Sequence, residues 1–191
     1  MKNQNRVFIA TSLDGYIADK NGGIDWLHSI PNPDNDDMGY EAFFAQIDAI
    51  IMGRTTFETV CSFDIDWPYS KPVFVLSNTL SKIPEKYKDK AYLVNGALSK
   101  VLEDIHEKGY YRLYIDGGKV IQSFLKEDLI DDMTITVIPT LLGGGVALFA
   151  DLPNRLDFKC VSTKIYLDSI VQNHYKRLKN EQRQNEPVPQ A

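Results

Sequence analysis

Three short apolar runs constrain the fold of this chain, because each one ends at a glycine-bearing turn. They are Val7-Phe8-Ile9-Ala10 before Asp14-Gly15, Ala49-Ile50-Ile51-Met52 before Gly53, and Leu113-Tyr114-Ile115 before Asp116-Gly117-Gly118. Helical spacing of apolar residues follows the third run, at Val120, Ile121, Phe124 and Leu125. Buried strands that alternate with helices predict an α/β chain, with a mostly parallel central sheet and helices on both faces.

The C-terminal part of the chain has a different pattern. Residues 158–167 and 170–178 are extended segments separated by Asp168-Ser169, which predicts an antiparallel hairpin at one edge of the sheet. The polar residues 179–191 are predicted to be a disordered tail. With 191 residues and 43% hydrophobic content, the chain is long enough for one substantial core. Residues 1–178 are therefore predicted to form a single domain.

Composition excludes several functional classes. A net charge of -5 without a dense basic stretch argues against binding to nucleic acid. No apolar stretch approaches the roughly 20 residues that a membrane span requires, so no contact with a membrane is predicted. Cys61 and Cys160 have no CxxC spacing, which indicates neither a metal site nor a disulfide framework. The chain is accordingly expected in the cytoplasm.

The junction at residues 49–58 predicts a strand that feeds a helix N-terminus. Such a junction collects unpaired backbone N–H groups and the positive end of the helix dipole, and Arg54 adds a fixed positive charge. A phosphate is the expected anion. Glu58 follows Thr55 by three residues, the spacing of a capping box, so the helix is predicted to start near Thr55. The alternative is an ordinary capped helix that binds nothing.

Ligands of open parallel sheets lie beyond the carboxyl ends of the strands, where all three glycine-bearing turns are predicted to meet. The first strand is not followed by GxGxxG, so a nucleotide would not be held by the Rossmann fingerprint. A long polar loop follows Asp14-Gly15, and loops of that length often serve as functional lids.

Five motifs in this order resemble the dihydrofolate reductase fold. They are Thr11-Ser12-Leu13-Asp14-Gly15-Tyr16-Ile17-Ala18, Ile51-Met52-Gly53-Arg54-Thr55-Thr56-Phe57-Glu58, Leu76-Ser77-Asn78, Ile115-Asp116-Gly117-Gly118 and Pro139-Thr140-Leu141-Leu142-Gly143-Gly144-Gly145. The first and last sharpen the match to the reductase domain at the C-terminus of bifunctional riboflavin-biosynthesis deaminase-reductases, and to its stand-alone relatives. The resemblance covers about residues 6–178 and implies a dihydrofolate reductase-like three-layer sandwich.

The resemblance also implies an oxidoreductase that uses NADPH. It places the pyrophosphate and the adenosine phosphate at Gly53, Arg54, Thr55 and Thr56, and the other side of the pyrophosphate at Gly117, Gly118, Lys119 and Val120. A cis peptide commonly joins that glycine pair in the fold. The 2′-phosphate falls at Leu76, Ser77 and Asn78, the nicotinamide near Ala10 and Thr11, and the lid edge at Gly15, Ile17 and their neighbours. Each residue has a turn or packing role as its alternative.

The substrate side rests on fewer residues. By resemblance, a carboxylate near the first helix would bind the heterocycle and assist protonation, and Asp37 and Glu41 are the catalytic candidates. Phe44 on the same helix face and Trp26 in the lid are the substrate-binding candidates. The alternatives are an N-cap for Asp37, a solvated helix position for Glu41 and a loop anchor for Trp26.

The resemblance implies hydride transfer to a small heterocyclic or imine or carbonyl substrate, as in 5-amino-6-(5-phosphoribosylamino)uracil reductases of riboflavin biosynthesis. Those reductases usually carry a lysine in the first strand, where this chain has Val7-Phe8-Ile9. Dihydrofolate reductase activity and a catalytically silent nucleotide-binding module are the alternatives. The hairpin edge could pair two subunits, so a homodimer is expected.

Overall fold

Apolar runs of the sequence form the strands of a central sheet, in a computed structural model that describes residues 3–179. The strands are β1 (Gln4–Ser12), β2 (Tyr16–Ala18), β3 (Ala49–Gly53), β4 (Val73–Leu76), β5 (Ala91–Val94), β6 (Arg112–Asp116), β7 (Asp132–Ile138), β8 (Val146–Ala147), β9 (Phe158–Tyr166) and β10 (Ile170–Arg177). The α-helices are α1 (Tyr40–Phe44), α2 (Arg54–Ser62), α3 (Leu98–Glu107) and α4 (Gly118–Lys126). Two 3-10 turns cover Asp25–His28 and Glu85–Tyr87.

Eight of the strands form one sheet, in the order β5-β4-β3-β6-β1-β7-β10-β9. The six strands from β5 to β7 run parallel, whereas β10 is antiparallel to both β7 and β9. Leu167 and Asp168 join β9 to β10 with positive φ angles of 48° and 55°, as the two central residues of a type I′ turn require. The predicted parallel sheet with a C-terminal hairpin is thus confirmed.

Both faces of the parallel part are buried, which explains why its strands are continuous apolar runs. In β3 the side chains of Ala49 and Ile51 enter one core with α3 and α4, whereas Ile50 and Met52 enter the other with α1 and α2. The helices therefore lie in two layers on opposite sides of the sheet, as the three-layer prediction states.

Two segments differ from the sequence-based expectation. Apolar spacing from Tyr40 to Ile47 predicts a longer helix, but α1 ends at Phe44 and a single turn, closed by Ile47 N–H to Phe44 C=O at 3.1 Å, leads into β3. The loop after Asp14-Gly15 is not wholly irregular, because β2 pairs with β8 in a small antiparallel sheet. Apart from Lys179, the predicted tail lies outside the described residues.

No helix within residues 3–179 is both long enough and apolar enough to cross a bilayer.

Candidate functional site

The carboxyl ends of the parallel strands meet at one edge of the sheet. Strand pairing places Met52 beside Asp116 and Gly53 beside Leu76. Gly53, which ends β3, is consequently a neighbour of Gly117 and Ser77, which follow β6 and β4. β1 ends at the same edge with Ala10, Thr11 and Ser12, between β6 and β7. The sequence motifs that carried the resemblance are brought together here.

The first turns of α2 and α4 lie against each other. Gly117 has a φ of 85°, and a Cβ at that position would lie 2.3 Å from Thr56 Oγ1. A Cβ at Gly53 would lie 3.2 Å from Cγ2 of Val120. Only glycine allows this approach, because any side chain at Gly117 would collide with Thr56. Two helix N-termini are thereby joined into one surface.

Neither helix start is capped by a side chain. Gly53 is the N-cap of α2 and Gly117 is the N-cap of α4, and no side-chain hydrogen bond closes either turn. The free N–H groups and the aligned dipoles favour an anion at the junction of the two helices. This geometry suits the two phosphates of a pyrophosphate.

The predicted capping box is wrong. The predicted helix start near Thr55 is confirmed, because α2 begins at the preceding residue, Arg54, but the carboxylate of Glu58 accepts a hydrogen bond from Arg54 Nε at 2.7 Å instead of turning back to the backbone. The expected cis peptide is also absent, since all peptide bonds of the described residues are trans. Gly117 nevertheless packs directly against the start of α2, as the contact with Thr56 requires.

A polar groove continues from this junction past the end of β4. Arg54 Nη1 donates to Thr79 Oγ1 at 3.3 Å, and Ser77 Oγ accepts the N–H groups of Thr79 and Leu80 at 3.2 and 3.0 Å. Asn78 is exposed beside them. The groove has a volume of about 300 Å³ and is lined by Leu76, Ser77, Asn78, Gly96, Ala97, Leu98, Ser123 and Glu127.

Asp14 ties the first and last motifs together. Its carboxylate accepts hydrogen bonds from the Ser12 hydroxyl at 2.6 Å and from the N–H groups of Leu142 and Gly143 at 3.1 and 2.8 Å. The bond from Ser12 is the largest of the influences that lower the pKa of Asp14. The glycine-rich loop after β7 is therefore fixed to the end of β1, although the two motifs are separated by about two thirds of the sequence.

The small sheet of β2 and β8 covers the start of α4. A Cβ at Gly118 would lie 3.0 Å from Cδ1 of Ile17 and 3.3 Å from the carbonyl oxygen of Ala147. Gln122 Nε2 donates to that same carbonyl at 2.8 Å. Ile17 of the predicted lid edge thus lies against the start of α4, whereas Gly15 accepts a hydrogen bond from the N–H group of Leu148, next to β8. Lys119 is exposed on the first turn of α4.

On the α1 side of the sheet, Asp116 is surrounded by tyrosines. Burial raises the pKa of Asp116 to about 6, against weaker lowering by the N–H group of Gly117 and the hydroxyl of Tyr114. Burial and the nearby Asp116 raise the pKa of Tyr40 to about 12, and the same two causes raise that of Tyr69. The Asp116 carboxyl can therefore carry a proton close to neutral pH.

The two carboxylates predicted from sequence do not share this environment. Asp37 precedes α1 and accepts the N–H groups of Glu41 and Gly39 at 2.6 and 2.9 Å. These bonds, the one from Glu41 first, lower the pKa of Asp37. Glu41 is exposed on the first turn of α1. The geometry favours the capping alternative for Asp37 and the solvated alternative for Glu41, and it does not support either as a proton donor.

The predicted substrate-binding residues differ in their surroundings. Phe44 lies between Tyr40 and Tyr69, with ring centroids 5.5 and 6.3 Å away. Trp26 lies in the 3-10 turn of the lid, where its Nε1 is buried without a hydrogen-bond partner among the described residues. Its contact with a substrate stays a prediction.

Sequence reasoning used Gly117-Gly118 and passed over Asp116 immediately before them. An acid that ends a buried strand at the ligand edge is a usable signal, because nothing in strand formation requires a carboxylate there. Tyr69 gave no such signal, since it belongs to an irregular segment between α2 and β4.

The model of the RibD C-terminal domain family matches residues 6–171. The chain is 35% identical to the uncharacterized protein YwjB of Bacillus subtilis (strain 168) over 180 residues, which span 93% of this chain and 99% of that protein. A structure from Shewanella sp. PV-4, named provisionally as a riboflavin biosynthesis protein, is 56% identical with a TM-score of 0.90 and covers 92% of this chain and 99% of its own.

More distant structures share the fold. A deaminase/5-amino-6-(5-phosphoribosylamino)uracil reductase of Thermotoga maritima has a TM-score of 0.72 at 16% identity, over 93% of this chain and 57% of its own. Dihydrofolate reductase of Enterococcus faecalis, complexed with NADP(H), has a TM-score of 0.64 at 14% identity, over 92% of this chain and 97% of its own. The dihydrofolate reductase-like fold predicted from the five motifs is confirmed.

Proposed function

We propose that this chain, which belongs to the RibD C-terminal domain family, is an NADPH-dependent reductase of a small heterocyclic substrate with an imine or carbonyl bond. The observation that carries the proposal is the meeting of two uncapped helix N-termini at Gly53 and Gly117. Two adjacent helix N-termini favour an anion, and a pyrophosphate would present two adjacent phosphates to them. The groove past Leu76 and Ser77 then has the place and polarity to hold the adenosine end.

The residues at the carboxyl edge of the sheet offer chemical groups that suit NADPH, and they lie in the order in which its parts would bind. The backbone at Gly53, Thr55, Gly117 and Gly118 would hold the pyrophosphate, with Thr56 between them. Arg54, Ser77 and Asn78 would face the 2′-phosphate, and Ala10 and Thr11 the nicotinamide. When bound, NADPH supplies a hydride to the substrate. Ile17 and the sheet of β2 and β8 would exclude water from that side.

Asp116 is the proposed proton donor. Hydride addition to the carbon of a C=N or C=O bond must be balanced by a proton on the nitrogen or oxygen, and a carboxyl with a pKa of about 6 can supply it. Asp116 is half-buried at the end of β6, and β6 neighbours β1, which supports a proton source at the same edge of the sheet as Ala10.

Riboflavin biosynthesis is the first pathway to test, because the Thermotoga relative is named as a 5-amino-6-(5-phosphoribosylamino)uracil reductase. Dihydrofolate reduction is the second, on the fold shared with the Enterococcus enzyme. A catalytically silent nucleotide-binding module is the alternative from another class, and the raised pKa of Asp116 favours an enzyme over it.

Titration with NADPH and NADH, followed by NADPH oxidation assays with both substrates, tests the proposal. We expect NADPH to bind more tightly than NADH, and at least one heterocycle to be reduced with loss of absorbance at 340 nm. Failure to bind either nucleotide would refute the cofactor site. Binding without turnover of any imine or carbonyl substrate would support the silent module.

A homodimer through β9 is proposed as the oligomeric state. β9 is an edge strand whose side chains from Lys159 to Ile165 are exposed, and its outer backbone groups can pair with a second copy. Size-exclusion chromatography with light scattering should give the mass of a dimer, and Ile165→Lys should shift it to a monomer. A monomer of the unchanged protein at micromolar concentration would contradict this proposal.

A further inference from the structure

The small sheet of β2 and β8, called the cover from here on, is separate from the central sheet. Its strands have three and two residues, and its register shifts between Tyr16 and Ala18. The cover lies over the start of α4, where Gly118 would bind part of the pyrophosphate. An isolated two-stranded sheet is marginally stable in water, so contacts with the rest of the protein must hold the cover in place.

Both ends of the segment that carries β8 are fixed by contacts outside β8. Before the strand, the N–H groups of Leu142 and Gly143 donate to the carboxylate of Asp14. After the strand, Leu148 is fully buried, and its N–H group donates to the carbonyl oxygen of Gly15 at 3.0 Å. These contacts leave the distance between β8 and α4 to be set by β8 itself.

The side chain of Gln122 makes the hydrogen bonds between α4 and the segment of β8. Its Nε2 donates to the carbonyl oxygen of Ala147 at 2.8 Å and to that of Leu148 at 3.4 Å. Gln122 lies four residues after Gly118, and helical side chains lean toward the N-terminus, so its amide reaches back toward the helix start. The carbonyl oxygen of Ala147 would lie 3.3 Å from a Cβ at Gly118. Gln122 thus holds this carbonyl against the first turn of α4.

Loss of this donor would act on one half of the cofactor site. The carbonyl of Ala147 would lose a partner in a partly buried place, at a cost at least equal to the net contribution of one hydrogen bond. The cover would then separate from α4 more often. In the proposed site, the nicotinamide half of NADPH lies on the side of the cover, whereas the adenosine end lies in the groove past Leu76 and Ser77.

Resting on the proposed function, we infer that Gln122 is a positioning residue, which holds the cover over the start of α4 and so retains the nicotinamide half of NADPH. Gln122 acts through the carbonyl of Ala147 rather than by contact with the cofactor. It therefore affects ligands that extend under the cover, and leaves unaffected those that fill only the adenosine end.

Gln122→Met tests this role, because methionine keeps the length of the side chain and removes the donor. NADPH dissociation, followed by fluorescence during displacement with excess NADP⁺, should become about fivefold faster, the factor that one hydrogen bond commonly supplies. The Kd of adenosine 2′,5′-bisphosphate, which would fill only the adenosine end, should be unchanged. Hydrogen exchange of residues 143–148 in the free protein should become faster.

Gln46→Met is the matched control. The amide of Gln46 also donates to a backbone carbonyl, that of Ala42 at 2.9 Å, but it is exposed at the end of α1. This variant should leave the NADPH dissociation rate and the hydrogen exchange of residues 143–148 unchanged.

Gln122→Glu provides a rescue that depends on pH. A carboxylate repels the carbonyl oxygens of Ala147 and Leu148, whereas a protonated carboxyl can donate to one of them. NADPH dissociation from this variant should be faster than from Gln122→Met at pH 8, and should approach the rate of the unchanged protein as the pH falls to 5. Each comparison is made at one pH. If Gln122→Met does not fold, this pH dependence decides the question.

Two results overturn the inference. One is an unchanged NADPH dissociation rate in Gln122→Met, and the other is an equal loss of affinity for NADPH and adenosine 2′,5′-bisphosphate, which would indicate a general effect on α4. In both cases NADPH binding by the unchanged protein leaves the proposed function standing. A failure of the unchanged protein to bind NADPH is a different result, which refutes the proposed function and the role of Gln122 with it.

Discussion

Replacing Asp116 with asparagine should stabilise the protein at alkaline pH while it abolishes turnover. Burial raises the pKa of Asp116 from the ordinary 3.8 to about 6, so the folded state holds this proton more tightly than the unfolded state. A difference of about two pKa units, at about 1.4 kcal/mol each, corresponds to about 3 kcal/mol. This is an upper limit, because Asp116 keeps partial contact with solvent.

The sign of the effect follows from proton linkage. When the pKa of an acid is raised by folding, its ionisation lowers the free energy of unfolding. This loss of stability is absent below about pH 4, grows between about pH 4 and 6, and is complete above about pH 6. In the unchanged protein the N–H group of Gly117 donates to Asp116 Oδ1 at 2.8 Å. Asparagine has nearly the same shape as aspartate and keeps an oxygen that can accept this bond. The variant should therefore gain up to about 3 kcal/mol at pH 8 and nothing at pH 4.

Urea unfolding of both proteins from pH 4 to pH 8 measures this difference. Asp48→Asn is a matched control of opposite sign, because Arg112 and two backbone N–H groups outweigh burial and lower the pKa of Asp48. The Asp48→Asn protein should be less stable than the unchanged protein at pH 8, and this difference should shrink toward pH 3. Kinetics complete the test: the rate of the unchanged enzyme should fall tenfold for each pH unit above 6. An Asp116→Asn protein that is less stable at pH 8, or equally stable at every pH, would refute the reasoning.

Other predictions concern the cofactor side and α1. Gly117→Ala should weaken NADPH binding at least tenfold in a fluorescence titration, because its Cβ collides with Thr56 and its φ is positive; unchanged affinity would show that the two helix starts do not act together. Arg54→Gln should raise the Kd for NADPH and leave that for NADH unchanged, and equal changes for both would remove Arg54 from the 2′-phosphate site. Asp37→Ala should lower the free energy of unfolding by about 1 kcal/mol with kcat intact, whereas a kcat reduced tenfold or more would restore its catalytic role.

The sheet and the close approach of the two helix starts were predictable because both depend on local sequence. Strands such as β3 and β6 are buried on both faces, so each is a continuous apolar run that any window of the sequence reveals. The positions where a helix start must approach another backbone are marked by glycines, at Gly53 and Gly117. The spacing of apolar residues and the positions of glycines are properties of neighbouring residues, so they can be identified without knowledge of the tertiary structure.

The bonds made by Asp14 and the tyrosines around Asp116 were not predictable in this way. Asp14 binds N–H groups that lie 128 and 129 residues further along the chain. The length of α1 was also misjudged, since the helix ends at Phe44 although the apolar spacing continues to Ile47, and the capping box failed because Glu58 pairs with Arg54 on the same helix. Contacts between residues that are far apart in the chain produce no periodic pattern in a single sequence.

The two halves of the site therefore follow different physical rules, and this bears on how far function can be transferred within the family. The proposed cofactor half would use backbone N–H groups, which constrain the sequence only at a few glycines. The proposed substrate half would use side chains from separate segments, since Tyr40 comes from α1, Tyr69 from the segment before β4 and Asp116 from the end of β6. Replacing Tyr69 with lysine would add a positive charge near Asp116 while Gly53 and Gly117 stayed intact. Shared glycines consequently indicate a shared cofactor, whereas the substrate has to be inferred from the side chains around Asp116.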